Sequence, residues 1–224
     1  MPKKVKVSKL SKSSKKHSIK KIVLTASVAT VIGLGFWSSK AFYTVAKVID
    51  GDTFVTTEER YIRLDRSIDA PEIDSCLGME AKEELSKLVV GKKIFVKADY
   101  VDDRKRLIGS VYTVNGDVGV AMLKKGLAAY DNKGASEKNK YYLEAARLAK
   151  DNNLGIYSKC TQTENLDNPK CNIKGNAING KKTYLTPNCS SYGQTLIQLY
   201  NGDKWFCTQA EAVKEGFTKS GDCN

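Results

Sequence analysis

Residues 42–57 read FYTVAKVIDGDTFVTT, two runs of β-branched and aromatic residues on either side of an Asp-Gly-Asp turn. Such runs around a short turn predict a β-hairpin with strands over residues 42–49 and 53–57. Residues 61–64 (YIRL) continue as a third strand, and residues 94–101 and 107–114 predict two more. Five short strands with helices between them indicate a small antiparallel barrel.

Three helices are predicted around these strands. Ala81, Leu85 and Val89 fall on one helical face, and the glycine at position 91 marks the end of that helix. Further helices are expected over residues 117–125 and 137–152. The predicted fold class is therefore mainly β plus α, a five-stranded barrel with three helices over residues 42–160.

The end of the chain has a different composition. Residues 161–170 (TQTENLDNPK) are polar and aperiodic, which predicts a linker. Residues 171–224 contain four of the six cysteines and few aliphatic side chains, so we expect a small α+β module that depends on disulfides. Thr208 and Glu211 have the spacing of a capping box and predict one short helix in this module.

Four cysteines in the module allow three pairings. Nesting of the bonds around the short helix favours Cys189 with Cys207 and Cys171 with Cys223. The six cysteines form an even set without a CxxC pair, which indicates disulfides and an oxidising, extracytoplasmic compartment.

The N-terminal leader, residues 1–41, carries most of the excess charge. The formal net charge is +12, and residues 1–21 supply nine lysines and no acid, so bulk charge does not by itself indicate a nucleic-acid partner. Residues 22–39 are uncharged between Lys21 and Lys40. This pattern predicts either a cleaved signal peptide or an uncleaved membrane anchor. In both cases we expect the remaining chain outside the cytoplasm, secreted or anchored to the membrane.

Carboxylates dominate the candidate chemistry. The only histidine is His17, which excludes histidine-based catalysis in the folded body. Asp50 and Asp52 occupy the first turn, and Asp69 and Glu72 follow the third strand, so the four acids can converge if these strands are neighbours. An all-oxygen site suits a hard cation such as Ca²⁺ or Mg²⁺, although Asp-Gly-Asp is also a common turn.

Two arginines complete the pattern. Arg63 lies on the third strand, and Arg106 precedes the strand over residues 107–114. Guanidinium groups match phosphate geometry, and together with metal-bound carboxylates they suit phosphodiester cleavage.

Five segments in this order resemble the staphylococcal nuclease (thermonuclease) family. They are KVIDGDT (47–53), RL (63–64), IDAPE (68–72), DRKRL (103–107) and LGIYS (154–158). The resemblance implies a five-stranded OB-type barrel with three helices and Ca²⁺-dependent endonuclease activity on DNA and RNA that leaves 3′-phosphate ends. The tail resembles a small Cys-containing module of exported bacterial members.

The resemblance also assigns roles. Asp52 and Asp69 would bind the metal with the carbonyl of Ala70, and Glu72 would orient or deprotonate the attacking water. The arginines at positions 63 and 106 would hold the phosphate. Exported members often pair the two cysteines at positions matching Cys76 and Cys160, so this disulfide is expected. We expect a monomer.

The chain departs from the family pattern at three places. Arg63 precedes Asp69 by six residues where the family has five, so we expect a β-bulge, or else Arg66 takes the role of Arg63. Residues 104–105 replace a usual Tyr-Gly, which predicts a differently shaped turn, and residues 126–132 (GLAAYDN) do not match the family's base-stacking tyrosine pair. The alternatives are therefore a degenerate module that binds single-stranded nucleic acid or a polyanion without cleavage, and a wall-associated structural protein.

Overall fold

A computed structural model of the protein describes residues 41–132, 139–178 and 180–223. The predicted signal peptide or anchor, including residues 22–39, lies outside the described residues. Within the described parts of the chain, no helix is long and apolar enough to cross a membrane.

The described residues before position 160 contain eight strands and three α-helices. The strands are β1 (Ala41–Val48), β2 (Thr53–Thr56), β3 (Tyr61–Leu64), β4 (Ile68–Asp69), β5 (Lys93–Val101), β6 (Leu107–Thr113), β7 (Gly116–Asp117) and β8 (Ala129–Tyr130). The helices are α1 (Gly78–Val89), α2 (Val118–Lys124) and α3 (Asn139–Asp151).

The main sheet closes into the predicted five-stranded barrel. Its order is β3-β2-β1-β5-β6-β7, and a parallel pairing of β3 with β6 joins the two sides. The two-residue strand β7 extends β6 at the edge. Strand and helix boundaries agree with the sequence predictions to within one to three residues, and the predicted fold class is confirmed.

The helices pack their apolar faces on the barrel. Ala81, Leu85 and Val89 of α1 are fully buried against the interior residues of the strands, as their helical spacing predicts. Gly91 follows this helix with a φ of 70°, a left-handed conformation that favours glycine. The side chain of Asp117 accepts a hydrogen bond from the backbone N–H of Val120 and begins α2.

The expected disulfide between Cys76 and Cys160 is present, with an S–S distance of 2.05 Å. It joins the segment between β4 and α1 to the residues that follow α3. Leu77 and Ile156 pack beside it in a small hydrophobic cluster. The bond therefore ties the segment that follows the predicted acidic loop to the far end of the domain.

The remaining described residues contain six strands and one α-helix. These are β9 (Thr161–Gln162), β10 (Ile173–Ile178), β11 (Lys181–Leu185), β12 (Ile197–Gln198), β13 (Lys204–Phe206), β14 (Thr218–Lys219) and α4 (Gln209–Lys214). Four of the strands form a sheet in the order β13-β10-β11-β14. Thr208 and Glu211 make both hydrogen bonds of the predicted capping box.

The predicted linker begins with a paired strand, because β9 forms an antiparallel pair with β12. The indole N–H of Trp205 also donates to the side-chain oxygen of Gln162. The described residues between 41 and 223 form one compact unit, and the proposed boundaries of the nuclease domain, linker and module stay predictions.

The predicted pairing of the four module cysteines is wrong. The structure pairs Cys171 with Cys207 and Cys189 with Cys223. Antiparallel pairing of β10 with β13 brings Cys171, two residues before β10, close to Cys207, the residue after β13. Strands β11 and β14 run parallel, so the cysteines that follow them lie at the same end of the sheet. Nesting along the sequence could not show this strand order.

Candidate active site

The Asp-Gly-Asp turn between β1 and β2 is held by the side chain of Asp50. Its carboxylate oxygen Oδ1 accepts hydrogen bonds from the backbone N–H groups of Asp52 and Thr53, at 3.0 and 2.7 Å. A Cβ at Gly51 would overlap the side chains of Ala70 and Ala81. Only glycine therefore lets this turn approach the acidic loop that closely.

Asp52 is buried at the centre of the candidate site. Its carboxylate accepts hydrogen bonds from the hydroxyl of Thr53 at 2.8 Å and from the backbone N–H of Ala70 at 3.4 Å. Burial raises the pKa of Asp52 to about 6, although the nearby guanidinium of Arg63 acts in the opposite direction. The charge of Asp69 adds to the increase.

Arg63 joins the two predicted metal ligands. Its Nη2 lies 2.9 Å from Oδ2 of Asp52 and 3.0 Å from Oδ1 of Asp69. Nη1 donates to the backbone carbonyl of Leu64 at 3.3 Å. The guanidinium is therefore held by two carboxylates and by its own strand end.

The expected β-bulge near Arg63 does not occur in β3, so the extra residue between Arg63 and Asp69 is accommodated elsewhere. Strand β3 pairs with β2 and β6 without a register shift. The extra residue lies in the turn that follows, where the carboxylate of Asp65 accepts from the N–H of Ser67 and its carbonyl accepts from the N–H of Ile68. The structure thus brings Arg63 to the carboxylates and leaves Arg66 exposed on the turn.

Arg106 is positioned from two directions. Its Nε donates to Oδ2 of Asp102 at 2.9 Å, and its Nη1 donates to the hydroxyl of Thr53 at 3.3 Å. Burial raises the pKa of Asp102, but hydrogen bonds from the backbone N–H and the side chain of Arg106 outweigh this effect and hold the pKa below its usual value. Lys105 stands where the family usually has glycine, and it has a φ of 64°. A non-glycine residue therefore adopts the left-handed conformation in this turn.

A cleft of about 250 Å³ collects most of the predicted phosphate-binding residues. It is lined by Arg63, Arg66, Asp69, Tyr100, Asp102, Arg106 and Ile108. Three guanidinium groups around one cleft can neutralise phosphate oxygens. The site can thus bind a phosphodiester.

Glu72 lies outside the residues that line this cleft. Its side chain is exposed and makes no hydrogen bond or ion pair with other described residues. Its carbonyl accepts the backbone N–H of Ser75 at 2.9 Å. A Cβ at Gly78 would overlap that carbonyl, so the start of α1 packs directly on the loop. The structure fixes the backbone of Glu72 and leaves its carboxylate accessible.

The donor set at Asp52 and Asp69 fits a hard cation. Both carboxylates approach the same nitrogen of Arg63, so the two acidic groups converge on one point. The described residues contain no group of three or more His, Cys, Asp or Glu side chains arranged for a metal. The set implied by the resemblance, Asp52, Asp69 and the carbonyl of Ala70, stays a prediction; its oxygen donors are of the kind that Ca²⁺ accepts together with water.

Sequence reasoning missed three residues of this site. Thr53 and Asp102 hold Arg106, and Tyr100 lines the cleft. The position of Asp102 four residues before Arg106 was a signal that could have been used. Tyr130 of the unmatched segment lies in β8, where it pairs with Ile68 of β4 and supports the acidic loop from the other side.

Comparison with known proteins shows what this part of the chain is similar to. The family model described as "Staphylococcal nuclease homologue" matches residues 61–159. Over those residues the chain is similar to the staphylococcal nuclease homologue family. The predicted resemblance is thereby confirmed.

Two curated relatives overlap this domain. One, named an uncharacterized 38.1 kDa protein of Capnoides sempervirens, is 44% identical over 91 residues, which is 39% of this chain and 27% of the relative. The other, named a probable staphylococcal-like nuclease of Oryza sativa subsp. japonica, is 42% identical over 83 residues, or 35% of this chain and 25% of the relative. The chain thus spans about a quarter of the length of the curated relatives it matches.

Proposed function

We propose that this chain is an exported, Ca²⁺-dependent endonuclease that hydrolyses phosphodiester bonds of DNA and RNA and leaves 3′-phosphate ends. One observation carries the proposal. Arg63 lies between Asp52 and Asp69, and Thr53 connects this group to Arg106. Of these residues, Arg63, Asp69 and Arg106 lie in the part of the chain that the staphylococcal nuclease family model matches. Acidic and basic groups for phosphoryl chemistry thus converge from four separate segments.

The two arginines bind and orient the substrate in this proposal. Arg106 is held by Asp102 and Thr53, so its guanidinium is arranged before a phosphate arrives. Arg63 is held in the same way by two carboxylates. Preorganised charge of this kind stabilises the extra negative charge of the transition state. Bound to Asp52, Asp69 and the carbonyl of Ala70, Ca²⁺ would supply Lewis-acid polarisation of a phosphoryl oxygen.

Glu72 acts on the attacking water in this proposal. Its carboxylate is exposed and unpaired among the described residues, so it can accept a proton. The loop that carries it is held by the disulfide at Cys76 and by the close approach of Gly78 to the backbone of Glu72. Attack at phosphorus with departure of the 5′ oxygen would leave the 3′-phosphate.

Export is supported by the cysteines. All six form disulfides, and such bonds persist in oxidising compartments. In this proposal residues 22–39 either direct secretion or, if they stay attached, anchor a monomeric enzyme in the membrane.

A cleavage assay on the full chain, purified in mild detergent, tests the function. Single-stranded DNA, duplex DNA and RNA are each incubated with Ca²⁺, with Mg²⁺ or with chelator. We expect cutting that needs Ca²⁺, leaves 3′-phosphates and falls about 100- to 10,000-fold in Glu72→Gln. Glu83→Gln, an exposed acid on α1, is the matched control and should cut normally.

The same assay separates the alternatives. Salt-sensitive binding of single-stranded nucleic acid without cleavage would contradict the enzyme and favour a binding module. Equal loss in Glu72→Gln and Glu83→Gln would contradict the role of Glu72.

A further inference from the structure

Four residues form a row across neighbouring strands of the barrel. Thr53 of β2 pairs with Arg63 of β3, Arg63 pairs with Ile108 of β6, and Ile108 pairs with Tyr100 of β5. Directly paired residues share one face of a sheet. Tyr100 therefore lies on the same face as Arg63, two strands away, at a spacing of roughly 10 Å.

A β-bulge in β5 creates this placement. The register shifts between Ala98 and Tyr100, so that two steps along β5 correspond to one step along β6. Without the shift, strand alternation would put Tyr100 on the face of Val96, which is a buried core residue. The extra residue is Asp99. Bulges re-aim side chains in this way beside functional sites.

The ring of Tyr100 is available for a ligand. Its side chain is 45% exposed, yet the residue lines the cleft that contains Arg63 and Arg106. An accessible aromatic ring beside phosphate-binding groups suits stacking on an unpaired base.

Arg66 supplies an unused guanidinium to the same cleft. Arg63 and Arg106 are each paired with carboxylates, whereas no carboxylate pairs with Arg66 among the residues that the structure describes. It stands exposed on the turn made by the extra residue between β3 and β4. A guanidinium free of acidic partners can bind a second phosphate.

We propose that Arg66 and Tyr100 form a nucleotide subsite beside the scissile phosphate, where Arg66 binds the neighbouring phosphate and Tyr100 stacks on an unpaired base. The inference rests on the proposed function, because Arg63 and Arg106 must hold the scissile phosphate. Stacking accepts every base but needs one that has left the duplex. The subsite therefore favours single strands over duplexes without strong base preference.

Binding to three labelled probes tests this subsite on the full chain in chelator, where cleavage is absent. The probes are a twelve-nucleotide oligothymidylate, an abasic strand of equal length and the matching duplex. Tyr100→Ala should raise the Kd for oligothymidylate by about 5- to 150-fold and leave the abasic strand unchanged. Tyr100→Phe should bind as the wild type does. Tyr61→Ala, which removes an equally exposed tyrosine outside the cleft, should have no effect.

Arg66→Ala should weaken binding of both single strands. It should also reduce the slope of log K against log salt concentration by about 0.7, the value for one lost phosphate contact on a single strand. Arg60→Ala removes an exposed arginine outside the cleft and should leave that slope near the wild-type value. Melting curves of all variants confirm folding.

The outcomes separate the two proposals. If the wild type cuts DNA with Ca²⁺ but Tyr100→Ala and Arg66→Ala bind every probe normally, the subsite is wrong and the nuclease stands. If Tyr100→Ala weakens the abasic strand as much as oligothymidylate, base stacking is wrong. A wild type that neither binds nor cuts would overturn the proposed function itself.

Discussion

The hydroxyl of Thr53 accepts a hydrogen bond of 3.3 Å from Nη1 of Arg106. The same hydroxyl donates to the carboxylate of Asp52 at 2.8 Å. One buried side chain therefore sets the positions of a candidate metal ligand and a candidate phosphate-binding group that are far apart in the sequence.

Replacing Thr53 with valine keeps the shape of the side chain and removes both hydrogen bonds. Because hydrogen bonds to charged groups contribute about 1.5–3 kcal/mol, we expect kcat to fall by about 10- to 100-fold. Thr56→Val, on the same strand, loses hydrogen bonds to the backbone N–H of Arg60 and to Glu58, neither of which belongs to the candidate site. Its kcat should stay within about twofold of the wild type. Equal kcat values in the two variants would contradict the role of Thr53.

Lys105 adopts a left-handed conformation in the turn before Arg106, with a φ of 64°. Such a conformation costs a non-glycine residue about 1–2 kcal/mol, and replacement by glycine removes this cost. Glycine also loses more conformational entropy on folding, which offsets part of the stabilisation. We expect Lys105→Gly to raise the free energy of unfolding by about 0.5–1 kcal/mol in urea titrations. Lys105→Ala should give no such gain, and an equal gain in both variants would assign the effect to the lost charge.

The disulfide between Cys76 and Cys160 closes a loop with a sequence separation of 84. Replacing both cysteines with serine should lower the free energy of unfolding by about 2–5 kcal/mol, because the unfolded chain gains freedom. Equilibrium unfolding in denaturant measures the change. The disulfide between Cys189 and Cys223 closes a shorter loop, with a sequence separation of 34. Replacing both of these cysteines with serine should therefore lower the free energy of unfolding by less. A larger loss there would contradict the prediction.

Asp222 near the end of the module gives a pH prediction. Hydrogen bonds from the hydroxyls of Ser191 and Ser220 hold the pKa of its carboxyl well below the usual range. The unfolded chain, with an aspartate pKa of about 3.9, binds this proton at a higher pH than the folded chain does. The carboxylate therefore stabilises the fold above about pH 4, and this contribution is lost as the pH falls further.

Thermal unfolding of Asp222→Asn measures this effect. Its Tm should lie below that of the wild type at pH 6, and the difference should shrink as the pH falls from about 4 towards 2. Asp167→Asn, an exposed aspartate in the predicted linker, should match the wild type across this range. A difference in Tm that stays constant with pH would contradict the assigned cause.

Residue patterns alone predicted the elements that depend on near neighbours. The hairpin around Asp-Gly-Asp, the face of α1 that carries Leu85 and the capping box at Thr208 were all confirmed. Each depends on side-chain alternation, helical period or a hydrogen bond within a few residues, so each is present in the local sequence. The metal-binding and catalytic roles carried over from the family stay predictions.

Tertiary structure decided what depends on strands that meet across the fold. It placed Arg63 between two carboxylates and Arg66 on the turn, because the extra residue lies after β3 and not within it. It paired Cys171 with Cys207 through the order of strands in the second sheet. It turned Tyr100 onto the face of Arg63 through a bulge. Amino-acid sequence thus determined which chemical groups the protein has. Strand pairing determined which of them meet, because register sets the face and the neighbour of every side chain.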